Sequence, residues 1–144
     1  MLIGQYTVAL DDKKRLSIPT PFRGLLGKRM ILTRGLDSCL FVYSKKSWGS
    51  IVSKMGTLSL GANEGRGFNR FLLAGATEAE MDSAGRVLVP DFLKQFAGLS
   101  KNVVVAGVGD RAELWDEKRW NEYSTRIAGE ADAMAEKLSA VGAI

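Results

Sequence analysis

Residues 6–19 read Tyr6-Thr7-Val8-Ala9-Leu10-Asp11-Asp12-Lys13-Lys14-Arg15-Leu16-Ser17-Ile18-Pro19. Residues 77–90 read Thr77-Glu78-Ala79-Glu80-Met81-Asp82-Ser83-Ala84-Gly85-Arg86-Val87-Leu88-Val89-Pro90. At a constant offset of 71, Asp11 meets Asp82, Arg15 meets Arg86 and Pro19 meets Pro90. Apolar positions match as well: Leu10 with Met81, Leu16 with Val87, Ile18 with Val89. Self-similarity at a fixed spacing marks one supersecondary unit used twice. The match runs on at a slightly larger offset, aligning Met30–Leu32 with Val103–Val105, Asp37 with Asp110, Phe41 with Leu114, and Lys45–Lys46 with Lys118–Arg119.

Within a unit the apolar period is two, the signature of a half-buried strand. Tyr6, Val8 and Leu10 share one face, and Leu16 and Ile18 point inward from a second strand. Pro19 closes that strand, because proline cannot donate to a sheet ladder. A short helical turn follows around Pro21–Leu26, then strands near Met30–Thr33 and Cys39–Tyr43, with Gly35 and Asp37 in the turn between them. The second copy repeats the plan through Pro90–Leu93, Val103–Ala106, Gly107–Asp110 and Leu114–Trp115. Helices follow each unit. Ser44 and Asp116 are good N-caps. Trp48, Ile51, Val52 and Met55 form one stripe, and Trp120, Tyr123, Ile127, Met134 and Leu138 another, both expected to pack on the sheets or on a neighbouring subunit. Gly61 to Gly67 is expected to break the chain before a short helix carrying Phe68, Phe71 and Leu72. The organisation expected is a first β unit over 5–47, a helical connector over 48–75, a second unit over 76–119 and a closing helix over 120–144. The class is α+β and β-rich.

Composition narrows the function. Histidine is absent and Cys39 is the one cysteine. No Ser-His-Asp triad, His metal site or thiolate cage can be built, and no carboxylate or lysine constellation stands out, so neither enzyme activity nor a cofactor or metal is expected. Cys39 reads as a small buried residue in a chain without an intrachain disulfide, which fits the cytoplasm. There is no signal-like N-terminus and no transmembrane-length apolar run, so no membrane partner is expected. Charge is divided unevenly. Residues 1–72 hold 12 Lys/Arg against 4 Asp/Glu, a net +8, while residues 73–144 hold 8 against 12, a net −4. A basic half points to a polyanion met mainly through the first copy, although a solvated basic surface would look the same.

The chain has eight aspartates, and only Asp11 and Asp82 are followed four positions later by arginine. One such pair carries little weight, whereas two at equivalent positions of a repeat are specific. An aspartate ending a strand can accept from the amides of the following turn, or pair with the arginine. Either way the turn is fixed and the guanidinium is aimed. An exposed arginine can bond bidentately to guanine O6 and N7, or clamp a phosphate. Lys13 and Lys14 lie in the same turn and would add phosphate contacts. An ion pair that only staples the hairpin remains the alternative.

At these residues the chain resembles the MraZ family, whose motif runs Leu-Asp-x-Lys-Gly-Arg, a β-branched residue, then Pro. The resemblance spans nearly the whole chain. The second motif keeps the family glycine as Gly85, whereas the first has Lys14 there. A positive φ at this position would strain Lys14, and the lysine itself adds a positive charge where DNA would lie. The resemblance implies two tandem AbrB-like (SpoVT-AbrB) swapped-hairpin units forming a pseudo-twofold barrel. It implies a ring-shaped homo-oligomer on double-stranded promoter DNA, binding short G-rich direct repeats, located in the cytoplasm at the nucleoid. It implies a transcriptional regulator, usually a repressor, of the division and cell wall gene cluster and of its own gene, with Arg15 and Arg86 as the DNA contacts. Asp11, Asp82 and Gly85 would shape the turns. Rival readings are another AbrB-like DNA-binding protein, such as a single-unit antitoxin, and a purely structural assembly protein. The first turn, with Lys13, Lys14 and Arg15, is expected to dominate affinity over a leaner second turn where Arg86 stands almost alone.

Overall fold

The computed structural model describes residues 1–144. The alternating apolar stretches of the two copies form eight strands: β1 (Leu2–Ala9), β2 (Arg15–Ser17), β3 (Arg29–Arg34), β4 (Leu40–Ser44), β5 (Thr77–Glu80), β6 (Arg86–Leu88), β7 (Asn102–Gly109) and β8 (Ala112–Asp116). Five helices join them: α1 (Thr20–Leu26), α2 (Lys45–Met55), α3 (Asn63–Leu73), α4 (Asp91–Ala97) and α5 (Glu117–Ala140). The architecture is α+β with antiparallel pairing throughout.

The two copies are interleaved. A six-stranded sheet runs β1-β7-β8-β4-β3-β5, and β2 pairs with β6 in a separate two-stranded ribbon. The first strand of each copy therefore adds to the hairpin of the other. Exchanging every strand for its counterpart in the other copy leaves this pairing list unchanged. The ladders do not close into a barrel, since β1 and β5 remain the two edges of the large sheet.

The central strands are apolar on both faces, because both faces are covered. Leu40 and Val42 of β4, Val103 and Val105 of β7, and Leu114 of β8 point into a core shared with Leu16, Val87, Phe22 and Leu93. The ribbon and the short helices α1 and α4 thus roof one face. Phe41, Tyr43, Val104 and Trp115 point the other way, against Trp48, Phe68, Phe71, Trp120 and Tyr123 of α2, α3 and α5. Tyr6 rests edge-on against Phe22, ring centres 5.4 Å apart. Cys39 is buried and donates to the Leu36 carbonyl at 3.2 Å, and burial pushes its thiol pKa well up.

Ser44 and Asp116 cap α2 and α5 through the amides of Ser47 and Arg119. Both caps end the fourth strand of their copy, so the offset there is 72. The alignment of Phe41 with Leu114 is one residue out: Val42 lies opposite Leu32 as Leu114 lies opposite Val105, so Phe41 is equivalent to Glu113 and Val42 to Leu114. The second copy shortens its β-hairpin turn by one residue. In the first copy that turn runs from Gly35, whose amide donates to the Cys39 carbonyl at 2.8 Å, through Asp37 and Ser38 at φ +62° and +64°. The glycine break is also shorter than expected. Helix α3 begins at Asn63 and contains Gly65 and Gly67. Its end is held from outside, by the Thr33 hydroxyl on the Leu72 carbonyl at 2.6 Å and Arg34 Nε on the Phe71 carbonyl at 3.1 Å. Such anchoring offsets the roughly 1 kcal/mol that each interior glycine costs a helix. In α5 only the start of the apolar stripe, Trp120 and Tyr123, meets the sheet, while Met134 and Leu138 are exposed.

Candidate nucleic-acid interface

The two Asp-x-x-x-Arg turns have the same geometry. Asp11 Oδ1 accepts from the amides of Lys13 and Arg15, each at 2.9 Å, and Oδ2 accepts from Arg15 Nε at 2.9 Å. Asp82 Oδ1 accepts from the amides of Ala84 and Arg86, each at 2.9 Å, and Oδ2 accepts from Arg86 Nε at 2.9 Å. The aspartate therefore performs both tasks open to it. One oxygen shapes the backbone turn. The other fixes the guanidinium through Nε alone. The Nη nitrogens of Arg15 and Arg86 make no hydrogen bond to the protein, so their paired donor edge is free for a planar acceptor.

The amide of Arg15, joined by its guanidinium and the Lys13 amide, holds the Asp11 carboxyl below the usual range against a partial desolvation that acts the other way. Asp82 is lowered likewise, by the Arg86 amide first, then the Arg86 guanidinium and the Ala84 amide. A depressed folded-state pKa contributes stability above the unfolded-state value, lost as pH falls through the folded one. Both turns are thus expected to keep their form at mildly acidic pH and loosen only below the ordinary carboxylate range. NMR titration of the Arg15 and Arg86 amide and Hε resonances would check this; movement centred near pH 6 would contradict it.

Strands β2 and β6 carry the two arginines onto one surface. Arg15 lies opposite Leu88, Leu16 opposite Val87, and Ser17 opposite Arg86. Leu16 and Val87 are buried, so Arg15, Ser17, Arg86 and Leu88 occupy the outer face of the ribbon. Arg15 and Arg86 are diagonal neighbours across the ladder, a separation of roughly 7–8 Å between backbones. The turns are also tied to each other: Ile18 N donates to the Gly85 carbonyl at 2.9 Å, and Val89 N to the Lys14 carbonyl at 2.8 Å. Each turn is thereby braced by the strand end of the other copy.

The turns differ at one position. Gly85 sits at φ +79° and Lys14 at φ +61°, so both occupy the left-handed region. Lysine there carries the strain anticipated from the family glycine, of order 1 kcal/mol. Lys14 is not a free cation: its ammonium pairs with Asp91 of α4. Lys13 has no carboxylate partner.

Lys28 and Lys101 are site-flanking residues that the motif reading passed over. Each precedes the third strand of its copy, and each lies in the cleft beside the turn of the other copy. Lys101 and Lys94 line the cleft of Asp11 and Asp12, and Lys28 that of Asp82 and Ser83. Their carbonyls accept from Leu10 N at 2.8 Å (Lys101) and Met81 N at 2.7 Å (Lys28). Lys28 pairs with Glu80 at 3.4 Å, whereas the equivalent position beside Lys101 is Ala9, which has no charge. The alignment of Lys28 with Lys101 was visible at the offset of Met30 and Val103; their placement beside the opposite turn was not. No group of three or more His, Cys, Asp or Glu is arranged to hold a metal ion. No helix is long and apolar enough to cross a membrane.

The family model described as "MraZ protein, putative antitoxin-like" matches this chain twice, over residues 1–71 and 72–140. The chain belongs to the MraZ family. The matches to MraZ relatives span nearly the whole of both chains. It is 46% identical over 138 residues to the transcriptional regulator MraZ of Thermoanaerobacter pseudethanolicus, covering 96% of each chain. It is 44% identical over 138 residues to that of Moorella thermoacetica, again covering 96% of each. It is 45% identical over 142 residues to that of Caldicellulosiruptor bescii, covering 99% of each. Each MraZ repeat supplies one of the two turns, and each turn depends on the other repeat for its bracing.

Proposed function

We propose that this MraZ-family chain is a sequence-specific DNA-binding transcriptional regulator. It acts chiefly as a repressor of the division and cell wall gene cluster and of its own gene, on short G-rich direct repeats in promoter DNA. The observation that carries the reading is the pair of guanidiniums, Arg15 and Arg86, each fixed by its aspartate and each with a free donor edge, on one face of one ribbon. The major groove admits a two-stranded β-ribbon, and arginine to guanine O6 and N7 is its commonest specific contact. Lys13 serves a phosphate; Lys14, held by Asp91, contributes less than its charge implies. Asp11, Asp82 and Gly85 shape the turns. The names of the relatives support a transcriptional regulator and assign no catalysis.

The working form is a ring homo-oligomer, in the cytoplasm at the nucleoid. One ribbon makes few contacts, and several ribbons on a repeated site raise the effective concentration. Two features favour assembly: the two open sheet edges, and α5, whose exposed Met134 and Leu138 have no partner within the chain. The exchange symmetry of the strand list supports a pseudo-twofold, AbrB-like pairing of units at 5–47 and 76–119, joined by 48–75 and followed by 120–144.

A mobility shift on the DNA upstream of the protein's own gene, at two salt concentrations, tests the function. Specific retardation that weakens as salt rises is expected, with log K falling by about 0.9 per neutralised phosphate for each unit of log salt. Equal binding to scrambled DNA would refute sequence-specific regulation. A monomer in light scattering would refute the ring.

A further inference from the structure

We propose that Arg23 is a third DNA-contacting guanidinium, held over the second turn by the absence of a side chain at Gly85, and that it clamps a backbone phosphate beside the base read by Arg86. The inference rests on the DNA-binding reading and extends it to a residue outside both motifs. Arg23 belongs to α1 of the first copy, yet it lies on the turn of the second. Its Nε donates to the Ile18 carbonyl at 2.9 Å. The amide of the same Ile18 donates to the Gly85 carbonyl at 2.9 Å, so one residue ties Arg23 to the turn. A Cβ at Gly85 would stand 2.2 Å from Arg23 Cζ and 2.5 Å from Nε and Nη2. The guanidinium therefore lies against the bare backbone of Gly85, a position no other residue leaves open.

This placement has no structural reward that accounts for it fully. Arg23 has no carboxylate partner, and its Nη nitrogens make no hydrogen bond to the protein. The acid of the second turn, Asp82, is already engaged by Arg86 and the amides of its own turn. Fixing an arginine side chain costs rotamer entropy. The result is a pre-oriented cation with a free donor edge, seated on the backbone of the residue before Arg86. A phosphate matches that planar fork. The first turn lacks the device: Lys14 fills the place that Gly85 leaves open, and the residue equivalent to Arg23 is Lys94. The first turn has Lys13, with Lys94 and Lys101 in its cleft, where the second has Arg23 on its glycine.

Fluorescence anisotropy of the full-length protein tests this, with an upstream duplex and a scrambled duplex at several salt concentrations. Arg23→Gln is expected to weaken binding to both about five- to tenfold. It should also lower the slope of log K against log salt by about 0.9 for each engaged subunit. Arg23→Lys should recover most of the slope. Unchanged affinity and slope in Arg23→Gln, alongside a loss in Arg86→Ala, would overturn the role of Arg23 and leave the DNA reading intact. A change in sequence preference would make Arg23 a base reader and overturn the phosphate assignment. Failure of the unaltered protein to prefer the upstream duplex would overturn both.

Discussion

Arg15→Ala combined with Arg86→Ala is expected to reduce affinity for the upstream duplex to the level of scrambled DNA, with the oligomer unchanged in size. Each arginine offers a free Nη edge, and one bidentate arginine–guanine pair contributes about 1–3 kcal/mol of discrimination. Each single variant should accordingly lose about tenfold to a hundredfold per ribbon. Losses are compounded when several ribbons share one repeated site, because avidity multiplies the effect of each. The turns themselves should survive. Alanine removes the contact between Nε and Oδ2, but the Oδ1 bonds to the Lys13, Arg15, Ala84 and Arg86 amides involve backbone donors only. Unaltered melting temperature and light-scattering mass would therefore accompany the loss of binding. Loss from one variant only would mean that the two turns do not read together.

Phe22→Ala carries the largest expected effect on stability. Phe22 is 2% exposed, contacts Tyr6 edge-on and lies beneath the ribbon in the core common to both copies. Truncating a buried phenylalanine costs about 3–5 kcal/mol through lost transfer energy and the cavity left behind. For a chain of this length that lowers the melting temperature by roughly 10 °C or more. Phe92 supplies the contrast. It also belongs to a short helix after a proline, but it is 49% exposed, so Phe92→Ala should shift stability by no more than about 0.5 kcal/mol. Thermal unfolding of the two variants separates them, and comparable losses would contradict the assignment of the core.

Phe22 and Phe92 also mark where reading the sequence succeeds and where it stops. Period-two patterning identified the inward residues Leu16, Ile18, Val87 and Val89, because alternation is a local property of a strand with one face covered. The caps Ser44 and Asp116 were legible for the same reason. Strand partnership is not local. A β1 that pairs with its own hairpin and a β1 that pairs with β7 have the same alternation, so the interleaving of the copies emerges only in three dimensions. The one-residue shortening of the second hairpin was hidden because neighbouring apolar residues match at either offset. At the site, the aspartates and arginines were found by spacing and by repetition. The ion pair of Lys14 with Asp91, and the seating of Arg23 on Gly85, join residues far apart in the chain and carry no sequence period. They change the comparison of the two turns. The first is less basic than its sequence implies, and the second does not stand alone.

Methylation interference on the upstream duplex tests most directly the claim that the ribbon reads bases through Arg15 and Arg86. Methylating guanine N7 blocks the major-groove acceptor that an arginine would use. Strong interference is expected at one or more guanines in each repeat, with part of the pattern lost in Arg15→Ala and another part in Arg86→Ala. Binding that tolerates methylation at every guanine, or an interference pattern untouched by both substitutions, would contradict it.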